Sequence, residues 1–167
     1  MKRFIFLLLI IPAVAFSQEC KLKKEIDQFS QKPKLTSGFV KFDADVPFQL
    51  SVDANKTDIG FFFLIKNGSD AKCFDDESTL VLSFEGNRKL TLKNAGTMNC
   101  DGYFQLVYRN TATPSSALNR LTTQKINTLS FVNGKVVTNI NLTIEQKEVF
   151  QKMAACIQKE APSMISQ

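Results

Sequence analysis

The chain has 167 residues, 44% of them hydrophobic, with 21 Lys and Arg against 16 Asp and Glu, and no histidine. The net charge is +5, or +3 once Lys2 and Arg3 are set aside, which is too weak and too evenly spread to argue for nucleic acid. The missing imidazole removes Ser-His and Cys-His nucleophilic pairs, histidine-ligated zinc and histidine general bases.

Residues 1–17 read as an export signal. Lys2 and Arg3 supply the positive end, and Phe4 to Ala15 is an apolar run of about a dozen residues, shorter than the roughly 20 a membrane span needs. Ala15 and Ser17 place small residues at the minus 3 and minus 1 positions of a cut after Ser17. A lipoprotein cut before Cys20 is disfavoured, because Gln18 and Glu19 stand where small residues are needed. The expectation is a single extracytoplasmic domain over 18–167, long enough to bury a full core. Its net charge is +3, because the 21 basic residues lose Lys2 and Arg3 while all 16 acidic ones remain. Export implies an oxidising compartment, where Cys20, Cys73, Cys100 and Cys156 pair as disulfides rather than acting as thiolates.

Lys21 to Lys24 is the basic cluster, and Glu25 and Asp27 follow at once, which suits a solvated edge. From there most of the chain alternates with period two, the pattern of strands half buried in a sheet. Val46, Phe48, Leu50 and Val52 share one face, with Pro47 marking an edge or a strand start. Asp58 to Lys66 contains Phe61-Phe62-Phe63, which points to both faces of a strand. That fits a central strand in a closed core; a cavity for a small apolar ligand is the sharper alternative.

Two hairpins can be registered. Leu80, Leu82 and Phe84 alternate, as do Leu90 and Leu92. Pairing Phe84 with Leu90 keeps one apolar face and needs an odd loop, such as 86–88, rather than a two-residue Gly86-Asn87 turn. Extended outward, this register brings Cys73 to Cys100, a bond closing about 27 residues and worth roughly 3 kcal/mol on the chain-entropy model. By elimination Cys20 pairs with Cys156. In the second hairpin, Asn133-Gly134 reads as a two-residue turn that sets Phe131 against Val136 and Leu129 against Thr138. A short helix is expected from Pro114 with Thr113 as cap. Val149, Phe150, Met153, Ala154 and Ile157 then recur at helical spacing, and Thr143 with Gln146 matches a capping box. That helix should run over about 144–159 and stop before Pro162.

Motifs that carry chemistry elsewhere are weak here. Ser69-Asp70-Ala71-Lys72 matches S-x-x-K, but it follows an Asn-Gly turn and lacks its companion motifs. Asp70, Asp75, Asp76 and Glu77 form an acidic loop without EF-hand spacing, and Asp43 and Asp45 flank a turn. Asn55, Asn67 and Asn141 head glycosylation sequons, read as chance matches beside a bacterial-type signal. No carboxylate pair is nominated for glycoside hydrolysis.

Glu25 to Ser30 with the turn at 31–34, and Leu118-Asn119-Arg120-Leu121 with Ile126 to Phe131 and a closing helix, resemble the ends of uncharacterised small secreted β-rich proteins of gram-negative bacteria. The resemblance implies a secreted β-rich domain and carries no activity or ligand. The sequence therefore points to an α+β, mainly β fold. It would have an antiparallel sheet or sandwich of about eight or nine strands, a C-terminal helix packed on it, and two disulfides. The expected role is a non-catalytic periplasmic or secreted binding or envelope-associated protein without cofactor, metal, catalytic residues, nucleic acid or a mature membrane span. The alternatives are a carrier of a small apolar ligand, an inhibitor or partner of another secreted protein presenting loop 67–77, and a carboxylate-only hydrolase.

Overall fold

The structure, a computed structural model, describes residues 21–28, 30–67 and 70–166. The export segment, Cys20 and Ser69 of the S-x-x-K motif lie outside the described residues. Two antiparallel sheets form the body. The larger has seven strands: β1 (Lys23–Ile26), β2 (Pro33–Thr36), β3 (Val40–Phe42), β4 (Phe48–Ala54), β5 (Asp58–Asn67), β6 (Asp70–Ala71) and β9 (Tyr103–Arg109). The smaller has four, in the order β11 (Val136–Asn141), β10 (Ile126–Asn133), β7 (Thr79–Phe84), β8 (Lys89–Lys93). The count exceeds the expected eight or nine partly because β3 and β6 are only three and two residues long, too short to leave an alternation signal.

Strand β5 is central, paired with β4 on one side and β9 on the other. Its Phe61, Phe63 and Ile65 point inward and are fully buried. Phe62 points outward and lies over Gly60, where a Cβ would meet the ring at 2.5 Å. Rings from both sheets meet in the middle. Phe63 sits 5.4 Å from Phe131 and 6.4 Å from Phe104, and Phe104 sits 5.1 Å from Phe131. The helix α2 (Ile144–Glu160) seats Phe150 against Phe61 and Phe63 at 6.3 and 6.2 Å. So the inner face of the large sheet is covered by the second sheet at one end and by α2 at the other. Each fully buried Phe contributes roughly 1.5–3 kcal/mol.

The capping box of α2 forms as expected: the Thr143 hydroxyl accepts from the Gln146 N–H, and Gln146 Oε1 accepts from the Thr143 N–H at 2.9 Å. The buried stripe is Phe150, Ala154 and Ile157; Val149 instead lies 39% exposed, at the margin of that stripe. The shorter helix α1 (Ser116–Thr123) begins two residues later than Pro114 suggests, because Ser115 supplies the cap by accepting from the Leu118 N–H. No helix among the described residues is long and apolar enough to cross a membrane.

Both hairpins keep the expected apolar face and shift register by two. Leu82 pairs with Leu90 and Leu80 with Leu92, around the loop Glu85-Gly86-Asn87, in which Gly86 and Asn87 both have positive φ. Phe131 pairs with Thr138 and Leu129 with Ile140, so the two-residue loop is Gly134-Lys135, not Asn133-Gly134. Gly134 has φ +55° at the first central position, the place a type II′ turn reserves for glycine.

Candidate functional site

Chemistry needs polar groups that converge and keep unused capacity. The tightest polar cluster lies on the outer face of the large sheet. Asp53 Oδ1 accepts from Ser51 at 2.6 Å and from Thr36 at 2.7 Å, and its Oδ2 lies 3.3 Å from Lys34 Nζ. Lys34 also faces Asp27 at 3.5 Å. Burial works to lower the lysine's pKa, but the Asp53 and Asp27 carboxylates outweigh it and raise it, so the ammonium stays charged. Ser51 therefore spends its hydroxyl proton on a carboxylate. Both acceptor oxygens of Asp53 are in use. The cluster ties β2 to β4. Nothing in the sequence pattern announced it, since it is assembled by cross-strand pairing.

The residues singled out by sequence are placed as follows. Cys73 and Cys100 are bonded, S–S 2.02 Å, next to an isolated bridge between Phe74 and Asn99. Cys156 is also disulfide-bonded, and its expected partner Cys20 lies outside the described residues. In the acidic loop, Asp75 accepts from the Ser78 hydroxyl at 2.7 Å and from the Ser78 and Glu77 N–H groups. The Ser78 hydroxyl chiefly, with those N–H groups, holds the Asp75 carboxyl below the usual range against a weaker desolvation effect. Glu77 is turned to Lys93 at 3.0 Å. The Asp75 carboxylate is thus spent on its own turn, and Glu77 on an ion pair with β8. Lys72 of S-x-x-K follows the short strand β6 rather than sitting on a helix. Asp43 borders a groove of about 240 Å³ with Lys41, Phe48, Leu64 and Lys66. A second groove, of about 480 Å³, is lined by polar groups including Glu85, Arg88, Gln124 and Lys125. Strand β5 reaches the smaller groove through Leu64 and Lys66, but Phe61, Phe62 and Phe63 line neither, and the inward rings of Phe61 and Phe63 pack against other rings.

Asp45 does something sequence reading missed. Its carboxylate accepts from the Asn141 backbone N–H at 3.1 Å and from Asn141 Nδ2 at 2.9 Å. Desolvation pushes the Asp45 pKa up, and the hydrogen bonds from Asn141 and Val46 overcome it, so the pKa is lowered. Asp45 thereby closes one end of the free edge of β11.

Free strand edges also offer unsatisfied hydrogen-bonding groups. In an antiparallel ladder only alternate residues bond to the neighbour, and the others direct N–H and C=O outward. Ile65 N–H donates to Gly102 O at 2.9 Å, so Tyr103, Gln105, Val107 and Arg109 face outward on β9. Asn99 serves Tyr103 in both directions, Asn94 Oδ1 accepts from Gln105 N–H at 2.8 Å, and Ala95 N–H donates to Gln105 O. Only Val107 and Arg109 remain, and Arg109 puts a charge there. On β8 the outward residues are Lys89, Thr91 and Lys93, a charged edge. Strand β1 is four residues long and carries Lys23, Lys24 and Glu25.

Strand β11 differs. Leu142 N–H donates to Asn127 O at 2.9 Å, which sets Val137, Asn139 and Asn141 outward. Asp45 takes Asn141. Among the described residues no group meets the outward backbone of Val137 or Asn139. Val136 and Val137 are 59% and 53% exposed, and no charged side chain sits between Lys135 and Asn141. The sequence signal was present in Val136-Val137-Thr138, β-branched residues beside a tight turn, but a register error of two hides which groups face out.

No protein-family model, curated protein or solved structure matches the chain.

Proposed function

We propose that the protein is a non-catalytic, exported binding protein that engages an extended partner segment along the free edge of β11. The observation that carries this reading is the bare backbone of Val137 and Asn139 on an uncharged stretch, whereas β8 and β1 carry charged edges and β9 is shielded except at Val107 and beside Arg109. Backbone groups of this kind give affinity by strand addition, and the exposed Val136 and Val137 supply apolar contact. The disulfides support an oxidising compartment. A photo-crosslinking residue at position 137, in the exporting host, should yield a protein adduct, and the same probe at Thr91 on β8 should yield none. Equal adducts at both positions, or none at 137, would remove this reading. A probe at Asp76 tests the inhibitor alternative, in which the Cys73–Cys100 bond braces the loop that meets the partner.

A further inference from the structure

The open stretch of β11 is short and bounded at both ends. The Gly134-Lys135 turn ends it on one side, and the Asp45 carboxylate, held on Asn141, ends it on the other. An incoming strand must therefore be short, must present two outward residues of its own, and must carry something compatible with Asp45 where its pairing stops. Strand β11 of another molecule meets all three conditions.

We infer that two copies of this chain associate through β11, antiparallel about a two-fold axis at Thr138, joining their four-stranded sheets into one. The inference rests on the edge reading above and names the partner. Outward residues must pair with outward residues, so the two residue numbers in each facing pair are both odd. Centring on Thr138 sets Val137 of each copy against Asn139 of the other. Each such pair exchanges two backbone hydrogen bonds, four in all. A two-fold at Val137 would require Lys135, a turn residue, to continue the ladder. A two-fold at Asn139 would require Asn141 N–H, which Asp45 already occupies. The register is thus selected by the groups that remain free.

Charge agrees with this register. Lys135 of each copy comes opposite Asn141 of the other, beside the Asp45 carboxylate that Asn141 holds. The two-fold makes this contact twice, and no like charges are opposed. On the outer face, Val137 neighbours Val132 across the existing β10 pairing, so each copy adds an apolar step to the seam. The contact is small, and interfaces below about 1,200 Å² belong to weak or transient complexes. A dissociation constant in the range of about 10⁻⁵ to 10⁻³ M is expected.

Two measurements on the full mature chain test it. Sedimentation equilibrium from micromolar to millimolar protein should show a monomer–dimer equilibrium, and Val137→Lys should weaken it at least tenfold while leaving the circular dichroism spectrum unchanged. Thr138→Cys should form an intermolecular disulfide on mild oxidation, because facing non-hydrogen-bonded residues sit about 4.5 Å apart at Cα, within disulfide reach. Thr91→Cys on β8 should not. A monomer at every concentration with no Thr138→Cys cross-link overturns the two-fold. If the position-137 photoprobe still captures a different protein, the edge reading survives without it; if it captures nothing, both fall. A dimer that Val137→Lys leaves intact also overturns the proposal.

Discussion

Strands β9 and β11 each leave one edge unpaired by any neighbouring strand, and the chain treats the two edges differently. Along β9 the segment 94–99 folds back so that the side chains of Asn94 and Asn99 imitate a neighbouring strand. The Cys73–Cys100 bond and the Phe74–Asn99 bridge pin that segment in place. Along β11 one carboxylate blocks one residue, and the next two outward residues are left bare. The difference is one of extent: β9 is shielded at Tyr103 and Gln105 and leaves Val107 and Arg109, whereas β11 is blocked at Asn141 alone. Where an edge is to be closed, this chain commits a disulfide and two asparagines to closing it.

The largest effect is expected at the disulfide. Replacing Cys73 and Cys100 by serine should cost roughly 3 kcal/mol by relaxing the unfolded chain's constraint. It also frees the segment that shields β9, so denaturant unfolding should show the loss and light scattering should show new self-association. Stability unchanged by the double replacement would mean that segment 94–99 is held by its hydrogen bonds alone.

Asn94→Ala should come next. It leaves the Gln105 N–H and the Asp75 carbonyl without their partner, a cost of roughly 1–3 kcal/mol for buried groups. Amide exchange at Gln105 should accelerate, while exchange at Leu106, bonded to β5, should follow only the global change. Equal acceleration at both would show that Asn94 supports the whole strand rather than its edge.

Asp45→Ala should be smallest, within about 0.5 kcal/mol, as for most exposed substitutions. Its local readout is the protection factor of Asn141, which should fall. Acid should do the same. The Asp45 pKa is depressed in the folded protein, so its contribution is complete above the unfolded value near 3.9 and is lost as pH falls through the folded value. An Asn141 protection factor constant through that window would detach Asp45 from the edge.

How much of this was legible in the sequence depends on what kind of signal each feature leaves. The helix α2 was readable because its capping box and 3.6-residue stripe are local. Which side chains of the hairpins face inward was readable too, because alternation has period two. Register was not, for the same reason: a shift of two residues leaves the face unchanged, so Leu82–Leu90 and Leu82–Leu92 look alike. Turn conformation decides between them, through positive φ at Gly86, Asn87 and Gly134. The Cys73–Cys100 pairing survived the error because the Phe74–Asn99 bridge brings the two cysteines together independently of the β7–β8 ladder. The Asp53 cluster, the asparagines shielding β9 and the contact of Asp45 with Asn141 all join residues far apart in the chain. No local pattern encodes them. The free edge of β11 became visible only once register was known.

On the proposed reading, Val137 and Asn139 offer open backbone to a partner strand while the Gln105 N–H is already taken by Asn94. Residue-resolved hydrogen exchange on the folded protein, at dilute and at near-millimolar concentration, tests it most directly. The Gln105 amide should be protected at both concentrations. The Val137 and Asn139 amides should exchange almost freely when dilute and gain protection together as concentration rises. Protected Val137 and Asn139 amides in the dilute monomer, or a Gln105 amide exchanging as fast as they do, would contradict it.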